Sequence, residues 1–375
     1  MEKFVFDNID SKYVKNRPEY MGDIQPKYWF VGQNDNILVK RQHSQKVNGQ
    51  PQKSKMFNHV GEYFGYLLAE KAGVKACPVS LITLHDYKNK YSKSKHLYTA
   101  CGSTRLLKPS QSMILGEGIV TNFMHKYPQK FKGIVEEELC SPAFKSYMQL
   151  NKEDNIDVII LSIITQTIDI EKQLGKRSKE QIESDVKENL RDAFDMVAYD
   201  CLFGNDDRHS QNWAMCVDAE TGRLEMYSLY DNERVLGLSK PVAEMKKYVN
   251  DEYTPDITDR KSLSRMGISP IHSGLSYKMM LEHIVRKYPE YAIPSIQKII
   301  DRVSEQDIEN LYSSMKGITR RSQDADELTE NDELPLEYSV YGKELYSKRS
   351  QYARELLLRA KDNKKKEKLD EIMIG

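Results

Sequence analysis

The stretch Leu202 to Asn212 (Leu-Phe-Gly-Asn-Asp-Asp-Arg-His-Ser-Gln-Asn) restricts what this chain can fold into more than any other. Upstream, apolar residues at Val186, Leu190, Phe194, Val197, Ala198, Cys201 and Leu202 recur with the helical period, so a helix runs into Gly204. Downstream, Trp213 to Val217 and Arg223 to Leu229 read as two strands joined by a turn at Ala219-Glu220-Thr221-Gly222, and the second strand ends at Asp231. Helix, polar loop and hairpin in that order deliver one acid, Asp207, and one amide, Asn212, to the mouth of a hairpin, with a second acid beside them.

Phosphoryl transfer needs such a set: a carboxylate to orient the attacking hydroxyl, and a carboxylate with an amide oxygen to hold Mg²⁺, a hard cation that takes oxygen ligands. Kinase catalytic loops place the Asp and Asn five positions apart, with the metal Asp on the next hairpin. Asp207 keeps that spacing to Asn212 and Asp206 does not, so Asp207 takes the base role. Asn and Asp also favour turns through local hydrogen bonding alone. The loop by itself therefore leaves a solvated turn open, and Asp231 and the N-terminal half argue for chemistry.

In that half, Tyr28 to Val31 and Ile37 to Lys40 are strand-like and joined by a turn-rich connection, with Lys40 ending the second strand. A polar segment, Gln42 to Lys55, reads as a loop. His59 to Ala72 reads as a helix closed by Gly73, with Glu62 off its apolar line of Val60, Phe64, Leu67, Leu68 and Lys71. A strand-ending Lys followed by a helix with an early Glu is the order kinases use: the Lys holds the α and β phosphates and the Glu holds the Lys. Val79 to Leu84 and Leu97 to Leu107 continue the sheet around a basic excursion at Lys88 to His96. Gly116-Glu117-Gly118 opens a helix-rich half with helices at Ile156 to Ile170, Tyr277 to Arg286, Ile293 to Val303 and Ser304 to Met315. Lys176 to Glu183 reads as charged and exposed, and the chain from Asp231 to about Ser264 as a long polar surface segment. Arg321 to Pro335 is an acidic linker, and Tyr341 to Lys368 a last amphipathic helix with a basic end that reads as solvated.

The 375 residues suffice for two or three lobes. The 56 basic and 56 acidic residues balance, so no global field draws the chain to nucleic acid or membrane. Five cysteines, none spaced Cys-x-x-Cys, argue against a disulfide framework or zinc site. The N-terminus lacks a signal-peptide pattern and the longest apolar run, Val158 to Ile164, is too short to span a bilayer. A cytoplasmic protein with neither membrane nor direct nucleic-acid binding is expected.

From about residue 20 to 315 the chain resembles a HipA-like serine/threonine kinase, of the short CtkA type. Gly22-Asp23-Ile24-Gln25-Pro26-Lys27 is similar to the family's phosphate-side loop, Ile37 to Lys40 to its lysine strand, and Gly61 to Gly73 to the helix after it. Asp207-Arg208-His209-Ser210-Gln211-Asn212 and Tyr230-Asp231 match its catalytic loop and metal aspartate, a form also similar to phosphoinositide kinases. The resemblance implies a bilobal α+β protein-kinase-like fold: a β-rich N-lobe at 1–108, a mostly helical C-lobe at 109–320, and an additional linker and helix at 321–375. It implies ATP and Mg²⁺, with Asp207 as base, Asn212 and Asp231 on the metal, and Lys40, fixed by Glu62, on the phosphates. An adenine hinge at Thr104-Arg105-Leu106-Leu107 and His209 lining the ATP site also follow, as do a protein substrate and an antitoxin-type DNA-binding partner. Tyr20 stands where some members carry an autophosphorylated Ser, which argues against that self-silencing device. Two alternatives remain open: a kinase for a lipid or small-molecule hydroxyl, and a non-catalytic nucleotide-binding toxin–antitoxin partner.

Overall fold

The computed structural model describes residues 7–10, 27–31, 36–41, 46–47, 50–51, 57–86, 96–104, 106–131, 156–205, 207–241, 245–247, 277–315 and 334–374. Outside them lie the loop at 22–26, Arg105, most of the basic excursion after Asp86 and most of the acidic linker before residue 334.

The N-terminal half is a five-stranded sheet in the order β1-β6-β7-β3-β2, made of β1 (Asp7–Asp10), β2 (Lys27–Val31), β3 (Asn36–Arg41), β6 (Val79–Asp86) and β7 (His96–Thr104). β1 runs parallel to β6 and the other pairings are antiparallel. β4 (Lys46–Val47) and β5 (Gln50–Pro51) form a separate ladder inside the segment that reads as a loop in sequence. Helix α1 (Asn58–Ala72) packs on β6 and β7, burying Phe64, Leu68, Ala69 and Ala72 in the same core as Val79, Leu81 and Cys101. Its end is fixed by Gly73 at φ 70°, where the Gly73 and Val74 N–H groups donate to the Glu70 and Ala69 carbonyls at 3.1 and 2.8 Å. This is a Schellman closure, which needs the left-handed backbone that glycine adopts without penalty.

The C-terminal half is helical around one small sheet. β8 (Gln111–Leu115), β9 (Ala214–Asp218) and β10 (Leu224–Met226) pair antiparallel in the order β10-β9-β8. The two later strands are the hairpin read from sequence. β8 was not, because Gln111 and Ser112 break its alternation. Around them lie α2 (Gly116–Lys126), α3 (Ile156–Leu174), α4 (Lys179–Phe203), α5 (Tyr277–Lys287), α6 (Pro289–Arg302), α7 (Glu305–Ser314) and α8 (Leu336–Ile374). α4 starts in a capping box, Ser178 with Gln181, so the charged stretch at 176–183 is a helix entry and not only an exposed run; Ile182 is buried. α4 packs against α3 and α6. The whole is an α+β kinase-like fold.

One expectation is corrected. The first residues after Asp231 are not a polar surface segment: Val235, Leu236 and Leu238 are fully buried, while the stretch from 248 to 264 lies outside the described residues. A short 3-10 turn, Val235–Gly237, lies between α1 and α8, and Phe57 N–H donates to the Leu238 carbonyl at 3.2 Å. Its apolar residues are too few to show a period, so charge dominated the sequence reading. Among the described residues no helix is long and apolar enough to cross a membrane.

Candidate active site

Three segments far apart in sequence meet at Lys40. β3 delivers its ammonium into the interior, with the residue 4% exposed. It donates to Glu62 of α1 at 3.4 Å and forms an ion pair with Asp231. Glu62 is 1% exposed and its other oxygen accepts the Asp231 backbone N–H at 3.0 Å. Asp231 sits at φ 58°, a left-handed conformation that costs a non-glycine residue about 1–3 kcal/mol and that Asp tolerates better than most.

Two devices hold these pieces. The strand end is stitched to the chain after α1: Leu229 N–H donates to the Lys75 carbonyl at 2.9 Å and Cys77 N–H to the Leu229 carbonyl at 2.8 Å. On α1, glycines allow close approach. A Cβ on Gly61 would lie 2.0 Å from the Glu233 carbonyl oxygen, and one on Gly65 2.4 Å from the Asn232 Cβ. Burial lowers the Lys40 affinity for its proton, but Asp231, Glu62 and Glu233 outweigh it and hold the pKa well above the ordinary lysine value. Burial pushes the Glu233 carboxyl up to about 7; Lys40 opposes, while Asp231 and Glu62 add to the rise. Glu233 is placed by Asn58, whose Nδ2 donates to it at 3.2 Å. Carboxylate oxygens of Glu62, Asp231 and Glu233 come within 4.8 Å of one another, an all-oxygen set of the kind a hard divalent cation takes.

The loop after α4 is built differently. Gly204, at φ 71°, ends the helix, and Arg208 turns back beneath the loop with 1% of its surface exposed. Its guanidinium pairs with Asp200 at 3.0 and 3.1 Å and reaches the Asn212 and Tyr230 carbonyls at 2.7 and 2.6 Å, and it also donates to Asn232 Oδ1. Asn205 donates to Asp200 at 2.8 Å. Burial raises the Asp200 pKa against the pull of Arg208, while Asp200 more than offsets burial on Arg208. One planar cation thus fastens the loop of Asn212 to the strand end before Asp231. Asn212 Nδ2 donates to the Asp207 carbonyl at 2.6 Å, and the Asp207 carboxylate meets Arg234 at 3.1 Å. His209 Nδ1 accepts the Gln211 N–H at 3.2 Å, and the Tyr230 hydroxyl donates to the Gln211 carbonyl at 2.8 Å.

Of the residues singled out in sequence, Lys40, Glu62 and Asp231 are in contact, and Asp207, His209, Asn212 and Tyr230 lie on the adjoining loop and strand end that Arg208 joins. Thr104 and Leu106 make separate bonds: Thr104 N–H to the Pro78 carbonyl at 2.8 Å, and Leu106 N–H to the Tyr227 hydroxyl at 3.1 Å. Leu107 is half-buried. Lys27 is paired with Lys40 in the β2–β3 register. Gly22, Asp23, Ile24, Gln25, Pro26 and Arg105 lie outside the described residues. Sequence reasoning missed Glu233, Arg234 and the Arg208 network; the signal available was the run Asp231-Asn232-Glu233-Arg234, whose charges resemble a surface turn.

No family model and no curated protein matches the chain. Among solved structures it is similar to the Helicobacter pylori proinflammatory kinase CtkA, with TM-score 0.61 and 12% identity over 95% of this chain and 98% of that one. The chain shares the fold of that kinase. A further match, at TM-score 0.45 and 12% identity over 90% of this chain and 66% of the other, is to the Shewanella oneidensis MR-1 toxin–antitoxin complex of HipA, HipB and operator DNA.

Proposed function

We propose that the chain transfers the γ-phosphate of ATP, with Mg²⁺, to Ser or Thr hydroxyls of a protein. The observation that carries this reading is the convergence of Lys40, Glu62 and Asp231 from a strand, a helix and a distant strand end, beside a loop that holds Asp207 and Asn212. Buried Lys40 supplies a fixed positive charge for the α and β phosphates, and Glu62 keeps it aimed. Asp207 orients the acceptor hydroxyl and takes its proton. Asn212 is pinned by its amide nitrogen, which leaves the amide oxygen as a ligand atom, and Asp231 is the second ligand. The oxygen-only donors fit Mg²⁺, which when bound would neutralise charge on the transferring phosphoryl group. The transition state is largely dissociative, so positioning and charge placement account for the rate.

The four described cysteines are buried and in no disulfide, as suits a reducing cytoplasm. An antitoxin-type partner belongs to the same reading and would co-purify with the chain. The test compares phosphopeptides in a lysate treated with ATP and either wild type or Asp231→Ala. Sites phosphorylated on Ser or Thr by wild type alone support the reading; identical phosphopeptide sets, or label appearing only in lipid, overturn it.

A further inference from the structure

Helix α8 touches both loops that carry the proposed chemistry. Near its start, the Tyr338 hydroxyl donates to the Lys240 carbonyl, and Tyr341 lies where a Cβ on Gly237 would meet its ring at 2.5 Å. Those contacts seize the turn that follows Asp231 and Arg234. Farther along, Leu345 packs on Gly204, 3.1 Å from where a Cβ would stand, and Tyr346 stacks on Phe203 with centroids 5.2 Å apart at 9°. Next comes Arg349, 2% exposed, whose Nη1 donates to the Cys201 carbonyl at 2.5 Å and whose guanidinium lies 4.4 Å over the Tyr277 ring.

The Cys201 carbonyl belongs to the last turn of α4, where carbonyls have no helical partner and the helix dipole is negative. A buried cation there meets the negative end of the helix directly. It does so from 148 residues away, at the base of the loop that presents Asp207 and Asn212. Between Tyr341 and Arg349 the helical rise gives a span of about 12 Å, a rigid spacer between the two loops.

We infer that α8 is a brace that sets the separation of the Asp207 loop from the Asp231 turn, and that Arg349 is its positioning residue. This rests on the reading of Asp207 as base and Asp231 as metal ligand. Arg349 acts through the Cys201 carbonyl and the Tyr277 ring that it meets. Its loss lets the end of α4 and the loop beyond it relax, so turnover falls while nucleotide binding, governed by Lys40 and Asp231, persists. A shift of about 1 Å in a catalytic group costs roughly 10²-fold, which sets the scale.

The experiment measures ADP formation from Mg-ATP with casein as acceptor for wild type, Arg349→Met, Arg349→Lys, Gln351→Ala on the exposed side of α8, and Asp207→Ala. The expected result is a kcat for Arg349→Met reduced roughly 10- to 10²-fold, with KM for ATP within about twofold, partial recovery in Arg349→Lys, and wild-type rates for Gln351→Ala. Hydrogen exchange should quicken at the amides of 205–212 and not in β6 and β7. Wild-type kcat in Arg349→Met, or a loss of kcat matched by a rise in KM and faster exchange throughout, overturns the brace. If Arg349→Met does not fold, Arg349→Lys decides: a kcat-selective loss supports the brace and an unchanged kcat overturns it. Equal rates for wild type and Asp207→Ala would instead overturn the reading of the site, and the brace with it.

Discussion

The two sides of the site are held together by different means. At Lys40 a cation is surrounded by carboxylates drawn from two segments distant from it and from each other, held by opposed charge, close helix packing and a few backbone bonds. At the Asp207 loop a single buried guanidinium binds residues within a short stretch of chain through a fan of hydrogen bonds. On the proposed reading the first side exchanges its partners, a phosphate or a metal taking the place of a carboxylate around Lys40. The second cannot: Asp200 and Arg208 have no solvent to turn to. A kinase-like site needs both kinds, a rearrangeable ion cluster where the nucleotide enters and a rigid loop where the hydroxyl is aimed.

The largest effect should come from removing chemistry on each side separately. Asp207→Ala should lower turnover roughly 10²–10⁴-fold, the range for a positioned base, while leaving Mg-ATP binding near wild type. Asp231→Ala should abolish the metal-dependent part of nucleotide binding, and chelating Mg²⁺ with EDTA should reproduce it in wild type. Calorimetric titration with ATP, with and without Mg²⁺, distinguishes the two. Equal loss of binding in both variants would erase the distinction between the sides.

Next comes Arg208→Met, which strands a buried carboxylate. Breaking a buried pair by removing one partner costs about 3–5 kcal/mol, so urea midpoints should fall steeply, and Asp200→Asn together with Arg208→Met should recover part of the loss. Lys40→Met, by contrast, should cost less stability, since Asp231 keeps some exposure to water and Glu233, already pushed up to about 7 by burial, can take up a proton. A larger destabilisation from Lys40→Met than from Arg208→Met would invert the comparison.

A third test addresses the packing that brings α1 to the ion cluster. In an ordinary helix, Gly→Ala stabilises by about 1 kcal/mol through propensity. At Gly61 the added methyl would collide with the Glu233 carbonyl at 2.0 Å, so Gly61→Ala should destabilise by about 1–3 kcal/mol, the overpacking range. It should also weaken ATP binding by displacing Glu62. Thermal unfolding and ATP titration of the one variant give both readings, and a stabilised variant would show that α1 has room.

What was legible in the sequence follows the same division. The helix closed by Gly73, the Lys40 strand, the hairpin and the spacing of Asp207 to Asn212 all leave local marks: a period, a cap, a turn, a fixed interval. The buried Arg208 contacts leave none. Arg208, Asp200 and Asn205 look like surface residues in a string, because only the fold shows that each is paired. The 3-10 turn after Asp231 is too short for periodicity, and its flanking Glu233 and Arg234 concealed three buried aliphatics. The last helix was read from Tyr341, five residues late, since Pro335 and the acidic run before it suggest a linker. Its inward face mixes Tyr338, Tyr341, Tyr346 and Arg349 with Leu345, Leu356 and Leu357, and a hydrophobic pattern undercounts the polar part.

The smallest effect concerns the support under the hairpin that leads to Asp231. Glu171 of α3 is fully buried; one oxygen accepts the Leu224 N–H at 2.8 Å and the other has no hydrogen-bond partner. Burial pushes its carboxyl up to about 7, the Leu224 bond and Arg177 oppose, and Asp185 adds to the rise. The folded value thus lies above that of an unfolded glutamate, about 4.3. A carboxyl raised in this way contributes stability that is full below the unfolded value and is lost as pH climbs towards about 7. Glu171→Gln keeps an acceptor for Leu224 and never ionises. Its urea midpoint should match wild type near pH 4 and exceed it at about pH 8, with the gap opening between those values. Because Glu171 supports β10 through Leu224 and is not one of the residues assigned to the chemistry, ATP turnover at a fixed fraction folded should not change. A midpoint difference that is constant with pH would mean Glu171 stays ionised in the folded chain, and that the hairpin, like the Arg208 loop, rests on a paired charge.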